Sequence, residues 1–290
     1  MQTFTHAADL ATFLATAPRP VAFVPTMGAL HAGHLALIEA ARKGHATVVA
    51  SIFVNPTQFN DQADLAAYPR TEEADARSLD AVHCDALYLP TVADVYPENY
   101  TDPTKDLSFG QLTEVMEGAQ RPGHFAGVAQ VVYRLLDIVR PDTLVMGQKD
   151  YQQVAVVRDM LRQLEKQLPF SVTVQTVPTV READGLALSS RNTRLGKAER
   201  AAAATINLQL KAVAAGVRAG WSPRTLETTA MREMGEHALL EPEYVSVFAG
   251  GTLQPWSEGD SVNGGVVVAT AVRCGVVRLI DNLVVIPSER

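Results

Sequence analysis

A run of four apolar residues, Val21-Ala22-Phe23-Val24, passes directly into Pro25-Thr26-Met27-Gly28-Ala29-Leu30-His31-Ala32-Gly33-His34, and then into Leu35, Leu37, Ile38, Ala40 and Ala41 at helical spacing. The first piece has the length of a buried strand and the last the periodicity of an amphipathic helix. Strand, Gly-rich turn and helix in this order make up the unit of α/β sheets, and the turn is where such sheets present ligands. Gly28 and Gly33 have no Cβ, so a phosphate can approach the backbone there. The opening amides of the helix are unpaired and carry partial positive charge, which suits an anion. His31 and His34 stand three apart, so both rings can face one ligand at the helix entrance. Three readings of the pair are open: metal ligands, a plain strand-to-helix connection, or ligands to nucleotide phosphate. The zinc-protease pattern spaces its histidines four apart around a Glu, and no compact Cys/His set lies near these two. Phosphate binding is the reading the sequence favours.

The alternation continues along the chain. Thr47 to Val54 is a second buried strand, rich in β-branched residues, and Pro56 stops it within Asn55-Pro56-Thr57-Gln58-Phe59-Asn60. Thr71 is placed as the N-cap of a helix with Glu72 and Glu73 in its first turn. That helix runs through Leu79 to a third strand, Ala86 to Leu89. Residues 91–111 show no clean periodicity and are expected to form a long surface excursion. Val128, Val131, Val132, Leu135, Leu136 and Val139 form the apolar face of a helix after His124. A fourth strand, Thr143 to Met146, ends in Gly147-Gln148-Lys149-Asp150-Tyr151-Gln152-Gln153. The next helix turns Val154, Val157, Met160, Leu161 and Leu164 inward, and Ser171 to Val177 reads as a fifth strand. Residues 1–180 are therefore expected to form an α/β domain with a doubly wound parallel sheet. Its strand ends at Pro25, Asn55 and Gly147 would converge on one crevice.

From Arg181 the pattern changes. A polar connection leads to an Ala-rich helix from about Lys197 to Ala219, then to a helix from Ser222-Pro223 to about Leu239. Three β-type runs follow: Tyr244 to Phe248, Val266 to Val272 and Val276 to Ile280. Residues 181–290 are expected to form a smaller α+β domain.

At 290 residues a chain can bury about three quarters of its unfolded surface, so no staples are needed. Cys84 and Cys274 are far apart and flanked by apolar residues, which argues against a disulfide framework and for a reducing cytoplasm. No basic-then-apolar amino-terminal segment and no apolar run near 18 residues is present, so neither export nor membrane insertion is expected. The net charge of -7 argues against a broad nucleic-acid footprint. Anionic substrates would have to be met by local cations, which gives weight to Lys149 and Arg191 beside polar turns.

Seven segments in this order closely resemble the pantothenate synthetase family, the AMP-forming pantoate–β-alanine ligases. They are Pro25 to His34, Val54 to Phe59, Tyr68-Pro69-Arg70, Arg121-Pro122-Gly123-His124-Phe125, Gly147 to Gln153, Ser189-Ser190-Arg191-Asn192 and Arg278-Leu279-Ile280-Asp281-Asn282. His-x-Gly-His alone marks only the wider nucleotidyltransferase group; the ordered set spans nearly the whole chain. The resemblance implies a Rossmann-like amino-terminal domain, a smaller lid domain, a cytoplasmic homodimer and a requirement for magnesium (Mg2+). It implies ATP on Met27, Gly28, Ala29, Leu30, His31, Ala32, Gly33 and His34, on Gly147, Gln148, Lys149 and Asp150, on the Val180 backbone, and on Leu188, Ser189, Ser190 and Arg191. It implies pantoate on Gln58 and Gln153, and β-alanine on Gln58. The partners implied are small molecules, with no nucleic acid and no membrane. Leu188 departs from the family's frequent Met, Gln130 and Arg134 from the commoner Thr and Lys, and residues 244–251 from a more acidic version.

The chemistry of such a ligase agrees with the residue types. A carboxylate does not accept an amine at neutral pH, because its oxygen is a poor leaving group. Attack of the carboxylate on the α-phosphorus of ATP gives an acyl adenylate and pyrophosphate, and AMP then leaves when the amine attacks. Negative charge builds around phosphorus in the first step, so fixed donors there lower the barrier. His31 and His34 supply such donors, and the resemblance implies that His34 is the proton donor. Lys149 and Arg191 can neutralise the departing pyrophosphate. Ser189 and Ser190 add hydroxyl donors on what should be a mobile loop. Gln58 and Gln153 can both donate to and accept from a hydroxylated acid, or can be surface polarity alone. Arg121 and His124 either line the site or cap the following helix, with the former favoured. Glu73 and Asp75 are either magnesium ligands or a solvated helix start, so the metal ligands stay unassigned. A nucleotidylyltransferase shares His-x-Gly-His but gives no reason for the Gln58 and Gln153 turns, and a non-catalytic nucleotide-binding regulator gives none for both histidines with Lys149 and Arg191.

Overall fold

β3 (Thr47–Ile52) is buried along its whole length, as expected of a central strand covered on both faces. It pairs in parallel with β2 (Val21–Thr26) from Val21–Thr47 to Thr26–Ile52. The computed structural model describes residues 1–59, 65–66, 68–260 and 264–286. Around these two strands lies a six-stranded parallel sheet, ordered β1-β4-β3-β2-β5-β6. Its other members are β1 (Gln2–Phe4), β4 (Ala86–Tyr88), β5 (Thr143–Gly147) and β6 (Thr173–Val177). The helices of this part are α1 (Ala7–Leu14), α2 (Ala32–Arg42), α3 (Glu72–Ala81), α4 (His124–Val139) and α5 (Tyr151–Leu164). The architecture is the Rossmann-like doubly wound sheet. Leu37 and Ile38 of α2 pack with Val24, Ala50, Ile52, Leu79, Leu87 and Val145 in its core.

The strand order reverses at β2, which has β3 on one side and β5 on the other. Such a switch point is where doubly wound sheets leave a crevice at the carboxyl ends of the strands. β2 and β5 are paired only at Ala22–Thr143 and Phe23–Leu144. Beyond Phe23 they run on unzipped, toward the Met27–His34 turn on one strand and Gly147 on the other.

By contact density the chain divides into two units, one of 1–109, 121–148 and 156–178, the other of 110–120, 149–155 and 179–290. The second is built on an antiparallel sheet of β7 (Leu240–Ala249), β8 (Val266–Cys274) and β9 (Val277–Ile286). On one side lie α6 (Lys197–Arg218) and α7 (Pro223–Gly235), whose Ala203, Ile206, Leu210, Val213 and Leu226 meet Val268, Val272 and Leu279. Phe248, Val267 and Ala269 instead pack with Leu112, Val115 and Tyr151. Arg278 lies between Glu117, at 2.6 and 2.8 Å, and Glu243, at 2.9 Å from Nε, while the Tyr244 hydroxyl donates to Glu117. Tyr244, in the segment that departs from the family pattern, thus serves to hold the 110–120 stretch within this unit.

Several expectations need correction. β1 and α1 were not foreseen: β1 has three residues with two exposed, too little to show a period. Residues 91–111 are not featureless, since Thr91 caps a helical turn, Val92–Val95, and the Tyr96 hydroxyl donates to buried Asn55. Thr71 stands at the start of α3 but makes no side-chain cap; its hydroxyl donates to Asp75 instead. α7 stops at Gly235 rather than Leu239, because β7 begins at Leu240. Leu161 is only half-buried on α5. Asn60, the last residue of the Asn55 stretch, lies outside the described residues.

Both thiols are buried. Cys84 Sγ lies 3.4 and 3.3 Å from the carbonyls of Val48 and Ala86, and Cys274 Sγ 3.3 Å from that of Glu199. Burial pushes the Cys84 thiol up to about 11 and raises that of Cys274.

One glycine sets the position of the turn that follows β3. A Cβ on Gly127 of α4 would fall 2.5 Å from the Thr57 carbonyl oxygen and 2.9 Å from the Gln58 Cα. The Pro56–Gln58 turn therefore rests directly on the helix backbone, and Asn55 Nδ2 donates to the Gly127 carbonyl at 3.2 Å. Gly127→Ala overpacks this contact, an error that costs about 1–3 kcal/mol in well-packed interiors. We expect a melting temperature several degrees lower and a turn displaced from α4, checked by thermal denaturation and by amide exchange at Thr57 and Gln58.

Candidate active site

The turn after β2 needs an unusual backbone. Gly28 has φ +81° and Ala29 φ +51°, and for Ala the left-handed region costs about 1–2 kcal/mol. A buried carboxylate offsets that cost: Asp75 of α3, 3% exposed, accepts from the Ala29 amide at 2.9 Å, the Leu30 amide at 2.8 Å and the Thr71 hydroxyl at 3.1 Å. A Cβ on Gly28 would come within 3.0 Å of Ile52 and 3.1 Å of Asp75, so glycine is needed for both conformation and space. Asp75 thus has a structural role in the turn, with both carboxylate oxygens engaged. Glu73 is almost fully exposed and lies 3.8 Å from Arg77, as on a solvated helix start. Sequence reasoning missed what Asp75 does; the only available signal was an acid one turn into a helix.

The turn delivers His31 to the N-cap of α2. Its Nδ1 accepts from the Gly33 amide at 3.1 Å, and His34 Nδ1 accepts from the His31 amide at 3.3 Å, a reciprocal cap made by two imidazoles. The ring centroids are 4.1 Å apart. A nitrogen that accepts from an amide carries no proton, so each neutral ring is the Nε2–H tautomer. Both rings thus sit at the start of α2 and take up the His31 and Gly33 amides there.

The turn after β3 carries Gln58. Its Nε2 lies 2.8 Å from Met27 Sδ, and its Oε1 accepts from Asn55 Nδ2 at 3.4 Å. His124, 7% exposed in the first turn of α4, hydrogen-bonds the Gln58 carbonyl through Nδ1 at 2.9 Å, and Arg121 donates to the same oxygen at 3.4 Å. Arg121 Nη1 also lies 3.2 Å from His124 Nε2; since Arg only donates, His124 is the Nδ1–H tautomer. Arg121 and His124 thus hold the backbone of Gln58. Within the first unit the fold brings together Met27, His31, His34 and Gln58 with these supports, and Gly147 and Gln148 follow β5 at the same sheet edge.

The second unit holds the remaining residues singled out. Lys149 Nζ lies 3.3 Å from Asp150, and the Lys149 carbonyl accepts from Asn282 Nδ2 at 2.8 Å. Of the adjacent glutamines, Gln152 is buried and satisfied by the Glu117 amide and the Leu112 and Val115 carbonyls; Gln153 is half-buried. Val180 and Leu188 join through the Leu188 amide and the Val180 carbonyl, closing a tight turn. Ser189 caps the following 3-10 turn, Ser190–Arg194, accepting from the Arg191 amide at 3.2 Å. Among the described residues no group of three or more His, Cys, Asp or Glu side chains is arranged to hold a metal ion.

A doubly wound sheet with two imidazoles capping a helix start at its switch point is an α/β arrangement of the kind that binds ligands at the carboxyl ends of its strands. The sequence and fold comparisons are more specific. The family model described as pantoate-beta-alanine ligase matches residues 2–284. The pantothenate synthetase of Porphyromonas gingivalis is 44% identical over 98% of this chain and 99% of its own. That of Thioalkalivibrio sulfidiphilus is 45% identical over 98% and 97%. Among solved structures, pantothenate synthetase from Thermus thermophilus superposes with TM-score 0.89 at 43% identity, covering 99% of this chain and all of that one. The pantoate-beta-alanine ligase from Francisella tularensis, complexed with beta-gamma ATP and beta-alanine, gives 0.79 at 30% identity over 98% of each chain. The chain belongs to the pantoate–β-alanine ligase family and is an enzyme of that class.

Asp75→Ala leaves two turn amides without their acceptor, and a buried unmet donor costs about 1–3 kcal/mol. We expect a lower melting temperature and faster amide exchange at Ala29 and Leu30, followed by mass spectrometry. Unchanged exchange at those two amides would remove Asp75 from this role.

Proposed function

We propose that this chain condenses (R)-pantoate with β-alanine at the expense of ATP, through a pantoyl adenylate, releasing AMP and pyrophosphate. The observation that carries the reading is the reciprocal cap, which holds two imidazoles at the start of α2 through their Nδ1 atoms, each neutral ring being the Nε2–H tautomer. In the first step a pantoate carboxylate oxygen bonds to the α-phosphorus and the bond from that phosphorus to the β-phosphate bridging oxygen breaks. His34 and His31 donate to the oxygens on which charge grows. Lys149 and Arg191 balance the charge of the leaving pyrophosphate. In the second step the neutral amine of β-alanine attacks the acyl carbon, the bond from that carbon to the AMP oxygen breaks, and the nitrogen gives up one of its two protons to solvent.

ATP is assigned to the backbone and side chains of 27–34, to 147–150, and to Val180 and Leu188–Arg191. Gln58 and Gln153 are assigned to pantoate, with Gln58 also near β-alanine. Magnesium enters as part of the substrate, Mg·ATP, a form in which the ion is held largely by phosphates and water. Free, buried thiols fit a reducing compartment such as the cytoplasm. No described helix is long and apolar enough to cross a membrane. The assembly proposed is a homodimer, and sedimentation at micromolar concentration should give twice the chain mass; a monomer alone would overturn it.

If activation of the carboxylate precedes amide formation, labelled pyrophosphate should exchange into ATP with pantoate present and β-alanine absent. His34→Ala should slow that exchange by about 100- to 1000-fold, the loss of one transition-state donor, in a protein that still folds and whose melting temperature falls only by the lost cap on the His31 amide. Exchange that requires β-alanine, or a His34 variant that exchanges normally and fails only in amide formation, contradicts the assignment.

A further inference from the structure

β9 is an edge strand of the second unit's sheet, and its interior carries two adjacent polar residues, Asp281 and Asn282, 5% and 2% exposed. Neighbouring side chains on a strand point to opposite faces, so the pair reaches two different surroundings. Asp281 takes Arg181 in a bidentate ion pair, 2.7 and 2.8 Å. An edge strand lacks a ladder partner on one side, and this ion pair holds the Asn282 backbone. The Asn282 amide donates to Asp281 Oδ1 at 2.7 Å, and its carbonyl accepts from Arg181 at 3.1 Å. Arg181 also donates to the Gly185 carbonyl at 3.1 Å, inside the turn that closes at Leu188 and leads into Ser189–Arg191. From the clamped backbone, the Asn282 side chain donates to the Lys149 carbonyl at 2.8 Å.

The geometry points to Asn282 as a positioning residue for Lys149. We infer that it fixes where the lysine stem begins, and that the Arg181–Asp281 pair in turn fixes Asn282. The inference rests on the reading of Lys149 as a pyrophosphate ligand. A lysine is a point charge on a four-carbon stem with many rotamers, so the position of its ammonium depends on where its backbone is held. A strand rises about 3.4 Å per residue. Anchors on consecutive residues therefore tie the Lys149 segment and the segment leading to Arg191 to one short, stiff piece of backbone. Two cationic segments distant in sequence thus share one reference point within their unit.

The test is a double-mutant cycle in pyrophosphate–ATP exchange, using the full chain and comparing wild type, Asn282→Ala, Lys149→Ala and the double variant, each with its melting temperature. Misplacing a catalytic group by about 1 Å costs on the order of 100-fold. Asn282→Ala is expected to lower kcat for exchange by about 10- to 100-fold, with little change in the KM for pantoate. Lys149→Ala should be at least as impaired, and the double variant should be no slower than Lys149→Ala, because Asn282 acts through the lysine. A merely structural asparagine would give losses that multiply in the double variant, and that result, or wild-type exchange in Asn282→Ala, overturns the inference while leaving Lys149 in its role. Wild-type exchange in Lys149→Ala overturns the role of Lys149 and the inference with it. If Asn282→Ala does not fold, Asn282→Ser, which keeps a donor of shorter reach, is carried through the same cycle with the same expectations of sign.

Discussion

A single buried carboxylate underlies the arrangement at the sheet's switch point. Asp75 accepts two consecutive amides of the turn after β2 and the Thr71 hydroxyl, and by doing so stabilises a backbone that Ala29 would otherwise disfavour. The path of that turn decides where α2 begins, and the start of α2 decides where the two imidazoles stand. The histidines are in turn held by each other's segment, each Nδ1 bonded to a backbone amide. The placement of the two imidazoles thus descends from the backbone: every orphan amide of the turn that receives a partner removes one freedom from it.

The same economy appears at Gln58. Its side chain reaches Met27, while its carbonyl is held by His124 and Arg121 from α4 and the turn before it. Gly127 lets the turn lie on the helix, and Asn55 closes the contact with an amide bond to the helix carbonyl. Polar residues that resemble substrate ligands in the sequence divide into those that can meet substrate and those that hold them in place.

That division explains how much was legible in the sequence. The central strands of the parallel sheet announce themselves by apolar runs and the helices by periodicity, because burial on both faces favours apolar residues. β1 was not legible, since a three-residue strand at a sheet edge needs no apolar pattern. The end of α7 was misjudged because Leu239 and Leu240 continue the apolar signal while the chain has already changed to strand. Among the polar residues, His31, His34 and Gln58 were singled out as expected ligands from residue type and context. Asp75, Asn55 and Asn282 were not, because their partners are backbone groups distant in sequence, and no local pattern records such a partner. Gln152 and Gln153, identical in type and adjacent, show the limit: one is consumed by backbone bonds of the 112–117 stretch and the other is not buried.

The placement of the two thiols has a consequence under the proposed reaction, in which an activated acyl group is formed. A mixed carboxylic–phosphoric anhydride acylates any accessible thiolate or free amine, and such side reactions would modify the catalyst itself. Cys84 and Cys274 lie inside the two cores, with their thiols held protonated by burial. The chain carries 6 lysines against 19 arginines, and a guanidinium that stays protonated is no nucleophile. With its thiols enclosed and its cationic surface largely arginine, the protein would offer the pantoyl adenylate of the proposed reaction few places to react other than the amine of β-alanine.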